Sequence, residues 1–222
     1  SGDESVATVD DIGRVTAVAP GITSIYAESA DGPKTAITLT VVRKAEGILL
    51  DSTLIEVYPG DDASLDYSIV NPDAQIDRVE WELNGLPTEW VEGTLPIPDT
   101  VTPQDYVITA KLYGTGYNVW GMLVSNALID TDSCVIRVLT PVAGVELTDM
   151  SGNVYADNVT IKGLVGQTKI VRAKVTPADA ADQTLIWETV DGSIAKVEPI
   201  SGFGGYARIT LFGKGSTELV VK

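Results

Sequence analysis

Short stretches in which apolar and polar residues alternate recur along the whole chain. They are rich in Val, Ile, Thr and Tyr, and turns of Gly, Pro, Asp and Asn separate them. Alternation with a period of two is typical of β-strands with one buried face, and no segment has a convincing helical period. The pattern predicts strands at 15–18, 24–27 and 36–42, for example. The chain is therefore predicted to be all-β, folded as tandem β-sandwiches.

The two ends of the chain repeat one another. Residues 5–9 (SVATV) match residues 193–197 (SIAKV), and residues 19–25 (APGITSI) match residues 213–219 (GKGSTEL). Self-similarity of this kind is the sequence pattern of modular architectures, so the two ends are predicted to form the same structural unit.

A second match joins the middle of the chain to its final third. Both parts contain a glycine followed by an apolar strand, a later proline and then a Trp-Glu pair. Trp81 lies 9 positions after Pro72, and Trp187 lies 10 positions after Pro177. The matches divide the chain into segments 1–42, 45–139 and 142–222.

This order of motifs resembles the bacterial immunoglobulin-like domain, group 2. The resemblance is closest in residues 1–42 and 142–222, whereas 45–139 resembles a divergent sandwich with a long insertion at 113–131. It implies small two-sheet sandwiches repeated in tandem on bacterial surface proteins, in adhesins of the intimin and invasin type and in some phage virion proteins. It also implies that 1–42 is the C-terminal part of a module and that 142–222 lacks its last strand. Flanking modules or neighbouring copies are expected to complete them.

Charge excludes some partners. Fifteen Lys and Arg against 31 Asp and Glu give a net charge of −16. Residues 45–141 hold 3 basic and 16 acidic groups, which is −13 of that total. An acidic surface repels phosphate backbones and anionic lipids, so nucleic acid and membrane are not expected partners. No apolar run is long enough to insert into a bilayer.

The residue inventory argues against catalysis. The chain has no histidine, which is the commonest general base and metal ligand, and it shows no nucleophile elbow or phosphate loop. Glu80 and Glu82 have the spacing of a glycosidase carboxylate pair, but the outer face of a sandwich offers no cleft. Cys134, the single cysteine, lies on the same strand face as two apolar residues, so we expect a buried structural thiol. The sequence therefore predicts no enzyme and no cofactor.

Several other residues are candidates for a structural or binding role. Trp81 and Trp187 are expected to be buried in the sandwich cores, as aromatic plugs of immunoglobulin-like folds are. Aspartates in the acidic middle segment could bind Ca²⁺, although no EF-hand spacing is present and a solvated surface explains them as well. The Ca²⁺ candidates are Asp61, Asp62 and Asp66.

The insertion at 113–131 carries aromatic residues among glycines, and the candidates for binding are Tyr113, Tyr117 and Trp120. Amphipathic rings give much contact area at low entropic cost, which suits a protein or glycan partner, while an extra hairpin packed on its own sandwich would explain the same residues. The sequence therefore predicts a non-catalytic, extracellular stalk or adhesive module of a bacterial surface. The alternatives are a phage virion component, such as a decoration or tail-fibre module, and an accessory carbohydrate-binding region of a larger enzyme.

Overall fold

The computed structural model describes residues 1–91, 93–117, 123–156 and 160–222, without the side chains of Tyr117 and Leu123. All the regular structure in these ranges is β-strand, which confirms the predicted fold class. The described residues contain no apolar helix of membrane-spanning length. The chain forms two compact units, one of Ser1–Thr100 with Gln104–Arg137 and one of Val101–Pro103 with Val138–Lys222. The division into three sequence segments stays a prediction.

The first 42 residues form two antiparallel hairpins. They are β1 (Ala7–Val9) with β2 (Val15–Ala17), and β3 (Gly21–Glu28) with β4 (Lys34–Val41). Gly32 has a φ of +95° in the turn between β3 and β4, a backbone conformation that a residue with a Cβ rarely adopts. Most side chains of β3 and β4 are exposed, and Thr23 is the one position of β3 that is fully buried.

The middle of the chain folds into a sandwich. Its strands are β5 (Gly47–Leu50), β6 (Leu54–Val57), β7 (Asp62–Ser64), β8 (Tyr67–Val70), β9 (Ile76–Leu83), β10 (Leu86–Thr88), β11 (Thr94–Pro96), β12 (Asp105–Tyr117) and β13 (Leu123–Val138). One sheet has the order β10-β9-β12-β13-β6, and the other strands pair as β5-β8 and β11-β7. This division of strands is that of an immunoglobulin-like sandwich. Its largest fully buried side chains are Ile48, Leu65, Ile108, Leu112, Cys134 and Ile136.

Strand β13 bonds to both of the strands that open the sandwich. The Ile48 N–H donates to Asp130 Oδ2 at 3.1 Å, and the Leu50 N–H donates to Asp132 Oδ2 at 2.9 Å. Directly before β6, the Thr53 carbonyl accepts from the Val135 N–H at 3.0 Å, and β6 is the neighbour of β13 in the sheet. Residue numbers rise together in these pairs, so β13 runs parallel to β5 and β6.

The described residues of segment 113–131 continue the two neighbouring strands, as in the hairpin alternative. Strand β12 extends to Tyr117 and β13 begins at Leu123, and the two strands pair antiparallel. The pairing register shifts after Leu112 and again between Gly114 and Gly116. Each bulge reverses the side-chain alternation, so the two-residue period that identifies a strand is lost in the sequence.

The second unit has its own core. Its strands are β14 (Gly144–Thr148), β15 (Thr168–Thr176), β16 (Trp187–Thr189), β17 (Ala195–Pro199), β18 (Tyr206–Leu211) and β19 (Leu219–Val221). The four-stranded sheet has the order β14-β15-β18-β17, and β16 pairs with β19. Val171, Val197 and Ile209 are buried in one cluster, and Trp187 and Leu219 pack against it. Full burial of each aliphatic side chain stabilises the unit by about 1.5–3 kcal/mol.

Candidate functional site

A cavity of about 500 Å³ lies beside β9, at the edge of the five-stranded sheet. Residues 79–82 of β9 form one wall, and residues 87–91 form the other. The cavity exists because β10 pairs with β9 only from Trp81 to Leu83. Beyond Thr88 the chain leaves the sheet edge, and space remains beside the N-terminal half of β9.

Aromatic rings form the inner part of this cavity. Trp81 is buried on the face of β9 that pairs with buried Ala110, and Tyr67 meets its ring edge-on at a centroid distance of 5.9 Å. Trp90 stacks on Trp81 at 4.9 Å with 22° between the ring planes. The Nε1–H of Trp90 is buried and has no hydrogen-bond partner among the described residues. The cavity therefore has an indole wall with an unused donor.

Three glutamates belong to the lining of the cavity, and Glu80 and Glu82 alternate with Trp81 on β9, so their side chains lie on the outer face of the sheet. Arg78 Nε donates to Glu80 Oε1 at 2.7 Å, and Lys111 Nζ donates to Glu82 Oε1. Glu89 is exposed and has no ion-pair partner within the described part of the chain. The carboxylates of the cavity can accept hydrogen bonds from a ligand.

The protonation of these groups does not suit acid catalysis. The hydrogen bond from Arg78 holds the pKa of Glu80 below its usual value, with further lowering by the charge of Arg78. The hydrogen bond to Glu82 raises the pKa of Lys111. A glycosidase needs one carboxyl that stays protonated near neutral pH, which requires a raised pKa. Glu80 has the opposite shift.

Tyr113 lies on the outer face of the same sheet, next to the cavity. It pairs with Arg78 across β9 and β12, and the Arg78 guanidinium lies 4.0 Å from the centroid of its ring. Arg78 Nη1 also donates to Asn126 Oδ1 at 2.7 Å. The ring of Tyr113 is thus held by a cation–π contact. The side chain of Tyr117 and the whole of Trp120, the other two predicted binding residues, lie outside the described part of the chain.

The three aspartates predicted as Ca²⁺ candidates have separate surroundings. Asp61 Oδ2 accepts from the Tyr58 N–H at 3.0 Å within a turn, and Asp62 pairs with Pro96 in β7 and β11. The Asp66 N–H donates to Asp51 Oδ1 at 3.2 Å. Among the described residues no three carboxylate or cysteine side chains are grouped closely enough to hold a metal ion. Calcium binding stays a prediction.

The remaining predicted residues lie in or against the two cores. Cys134 is buried in β13, and burial raises the pKa of its thiol. Trp187 is half-buried and lines a second, smaller cavity of about 300 Å³ together with Phe203 and Tyr206. Phe203 is 65% exposed, so this second cavity is a shallow depression, and its lining contains no carboxylate side chain.

Sequence reasoning did not identify Trp90. The sequence shows only that a tryptophan lies in a polar stretch between two turns, nine residues after Trp81. It could not show that Trp90 returns to stack on Trp81, because that contact depends on the path of the chain after β10.

Comparison with known proteins finds similar chains only among solved structures. No family model matches the chain, and no curated protein matches it. The four-domain extracellular cadherin fragment of protocadherin gamma B7 is 10% identical with a TM-score of 0.36, covering 97% of this chain and 63% of that one. The N-terminal eight immunoglobulin domains of Down syndrome cell adhesion molecule are 12% identical with a TM-score of 0.37, covering 89% and 28%.

Domains 1–6 of the surface-layer protein SbsC are 14% identical with a TM-score of 0.28, covering 93% of this chain and 27% of that one. The chain thus spans less than two thirds of the length of each of these structures. Because the sequence identities and TM-scores of these structures are low, they carry no argument about the function of this chain. The function has to be argued from the residues of the candidate site. Membership of the group 2 bacterial immunoglobulin-like family stays a prediction.

Proposed function

We propose that this chain is a non-catalytic, extracellular adhesive module that binds a sugar ring of a glycan in the cavity between residues 79–82 and 87–91. The observation that carries the proposal is the buried Nε1–H of Trp90, which lacks a partner among the described residues in the wall of that cavity. A buried donor left unpaired costs about 1–3 kcal/mol. Because this atom is buried in the unliganded chain, a ligand hydroxyl oxygen would accept from it after displacing the groups that cover it.

The chemistry around Trp90 favours a neutral polyhydroxylated ligand. Glu80 and Glu82 neutralise Arg78 and Lys111 on the outer face of the sheet, where each carboxylate can accept further hydrogen bonds from hydroxyl groups of a ligand that extends over the sheet edge. Glu89 adds an acceptor without an ion-pair partner in the described ranges. Indole rings supply apolar contact area, and the net charge disfavours an anionic ligand.

Glycan-array screening of the chain, followed by calorimetric titration of the best glycan, tests the proposal. Trp90→Phe keeps a ring next to Trp81 but removes the N–H, and we expect about two- to tenfold weaker binding because a neutral hydrogen bond contributes about 0.5–1.5 kcal/mol. The melting temperature should not fall, since an unpaired buried donor is removed.

Glu89→Ala removes an exposed acceptor and should also weaken binding. Glu146→Ala, at an exposed position of β14 in the other unit, is its matched control and should bind like the unchanged chain. Wild-type affinity of Trp90→Phe and Glu89→Ala for every glycan that binds would contradict the proposed site.

The non-catalytic part of the proposal has a separate test. We expect no turnover of glycan or peptide panels, because the lowered pKa of Glu80 keeps it ionised and the chain has no histidine. Turnover that disappears in Glu80→Gln or Glu82→Gln would show an enzyme instead.

The setting on a bacterial surface is also part of the proposal. Neighbouring coding sequence distinguishes it from the other two settings that the sequence allows. Capsid or tail genes would favour a phage virion component, and a hydrolase domain in the same reading frame would favour an accessory region of an enzyme.

A further inference from the structure

The basic residues of the second unit are concentrated on two neighbouring strands. Of the 8 lysines and arginines in residues 142–222, 6 lie in 160–176 and 206–217, which contain β15, β18 and their flanking turns. These two stretches contain no aspartate and no glutamate. The second unit therefore has a region of positive charge, although the whole chain has a net charge of −16.

Three of these basic side chains lie on one face of the four-stranded sheet. Arg172 and Lys174 alternate with the buried residues of β15, and Arg208 lies between two buried residues of β18. Because successive side chains of a strand point to opposite faces, all three point away from the core, and all three are exposed. These three residues form the basic face of the second unit.

The register of β15 and β18 brings the three cations close together. Arg172 and Lys174 are two positions apart on one strand, which is a separation of about 7 Å. Arg208 pairs with Ile170, so it is the diagonal neighbour of Arg172 at about 7–8 Å. Like charges at these separations repel each other, and an anion that contacts more than one of them would offset the repulsion.

Carboxylates on the neighbouring strands do not neutralise the basic face. Glu198 lies opposite Arg208 but forms its ion pair with Lys196, at 2.6 Å. Glu146 lies opposite Lys174, and no ion pair joins them. Within the described part of the second unit, the basic face therefore has no ion-pair partner.

The middle of the chain shows the opposite arrangement. Each of the three basic residues of 45–141 is ion-paired with a carboxylate. These pairs are Arg78 with Glu80, Lys111 with Glu82, and Arg137 with Asp105. Positive charge is thus neutralised within the middle sandwich, whereas that of the basic face is available to an anionic ligand.

An aromatic pair adjoins the basic face. Tyr206 pairs with Arg172 in the register, and the guanidinium lies 5.3 Å from the centroid of the tyrosine ring. Phe203 meets Tyr206 edge-on, with 6.4 Å between the ring centroids and 85° between the ring planes. Since Phe203 is 65% exposed, its ring offers an aromatic surface next to the cations.

Phe203 lies in a lengthened turn. Val9 pairs with Val15 across residues 10–14, whereas in the matching hairpin of the second unit Val197 pairs with Ile209 across residues 198–208. The additional residues of the second hairpin include Phe203 and two of its neighbouring glycines. The aromatic surface is therefore a feature of the second unit that the matching hairpin at the start of the chain lacks.

We propose that the basic face and Phe203 together bind an acidic polysaccharide whose sugar rings carry carboxylates. The planar guanidinium of arginine matches a carboxylate with two parallel hydrogen bonds. The C–H face of a sugar ring is apolar and packs on the exposed ring of Phe203, while carboxylates of the same polymer reach Arg172 and Arg208. A sugar acid thus meets both features of the surface, whereas the side chain of an acidic peptide meets only the charge.

The charge of the second unit permits such a ligand. Residues 142–222 hold 8 basic and 9 acidic groups, so this unit does not repel a polyanion as the acidic middle segment does. The site lies in a different unit from the cavity beside β9 and does not depend on the function proposed for that cavity.

Titration of the 222-residue chain with a fluorescent oligomer of galacturonic acid tests the proposal. We expect saturable binding at about 50 mM salt that weakens strongly at about 200 mM, because salt screens exposed charges. Arg172→Gln and Arg208→Gln should each weaken binding about fivefold, and Phe203→Ala should weaken it as well. Lys214→Gln removes the same charge from an exposed turn of the same unit, so it should bind like the unchanged chain.

Further probes distinguish the alternatives. Trp90→Phe should bind the acidic oligomer like the unchanged chain, which separates this site from the cavity beside β9. Absence of binding at about 50 mM salt would overturn the proposal. Equal binding of polyglutamate or duplex DNA, unaffected by Phe203→Ala, would show attraction by charge alone and overturn the choice of a sugar. Self-association that Arg172→Gln abolishes would overturn it too, since the acidic segment of a second copy would then be the occupant.

Discussion

Replacing Trp81 by alanine tests how the middle sandwich is held together. Trp81 is 8% exposed, stacks on Trp90 and meets Tyr67 edge-on. Truncation of a buried aromatic costs about 3–5 kcal/mol, and each aromatic pair contributes about 0.5–1.5 kcal/mol beyond its area. Because two pairs are lost, we expect the upper end, about 4–5 kcal/mol. Trp81→Phe keeps a ring and should cost about 1–2 kcal/mol.

Native-state hydrogen exchange measures this loss separately in each unit. The Ile108 amide reports on the first unit and the Val171 amide on the second, since both residues are almost fully buried in strands. Trp81→Ala should lower the free energy of opening at Ile108 and leave it unchanged at Val171. Trp187→Ala should do the reverse, with a smaller loss because Trp187 is only half-buried. A loss under about 1.5 kcal/mol for Trp81→Ala, or equal losses at both amides, would refute the argument.

Further predictions concern the thiol, the metal and pH. Cys134 should resist a thiol reagent in the folded chain and react within minutes in urea, because burial raises the pKa of its thiol; equal rates would contradict this. Melting temperatures should be the same in millimolar Ca²⁺ and in chelator, since the candidate aspartates do not converge; a rise larger with Ca²⁺ than with Mg²⁺ would establish a site. The hydrogen bonds from Ser193 lower the folded-state pKa of Asp191, so its stabilising contribution is complete above its unfolded pKa of about 3.9 and is lost as pH falls through the folded value. Thermal melts of Asp191→Asn between pH 7 and pH 2.5 should accordingly show a smaller acid-induced loss than the unchanged chain, and parallel losses would refute the role of the carboxylate.

The fold was predictable where side-chain alternation is regular. The hairpins of residues 1–42 lie within a few residues of the predicted strands, because β-branched residues are frequent there, glycine and proline mark the turns, and Ile37, Leu39 and Val41 alternate along β4. The pairing register of the extended β12 and β13 was not predictable, since two bulges reverse the alternation within five residues. The alternation of apolar and polar residues indicates on which face of the sheet each side chain lies. It does not indicate where one strand of a pair contains an extra, unpaired residue.

The candidate site was predictable only in part. Tyr113 was identified from the sequence, and it lies beside the cavity. Trp90 was missed, and the pairing of Lys111 with Glu82 follows from a register that joins residues 29 positions apart, whereas Arg78 and Glu80 lie two positions apart on β9. Long-range register of this kind depends on the whole core and is not encoded in any local spacing.

The direction of β13 has a mechanical consequence for a protein that is held between two surfaces. Tension would enter the middle sandwich near β5 and β6 and leave it through β13, which runs parallel to both. The bonds of Ile48 to Asp130 and of Leu50 to Asp132 would then be loaded in shear, all at once. The antiparallel hairpin of β3 and β4, pulled from Gly21 and Val41, would open like a zipper, one pair at a time. The middle sandwich should therefore rupture at a higher force than that hairpin.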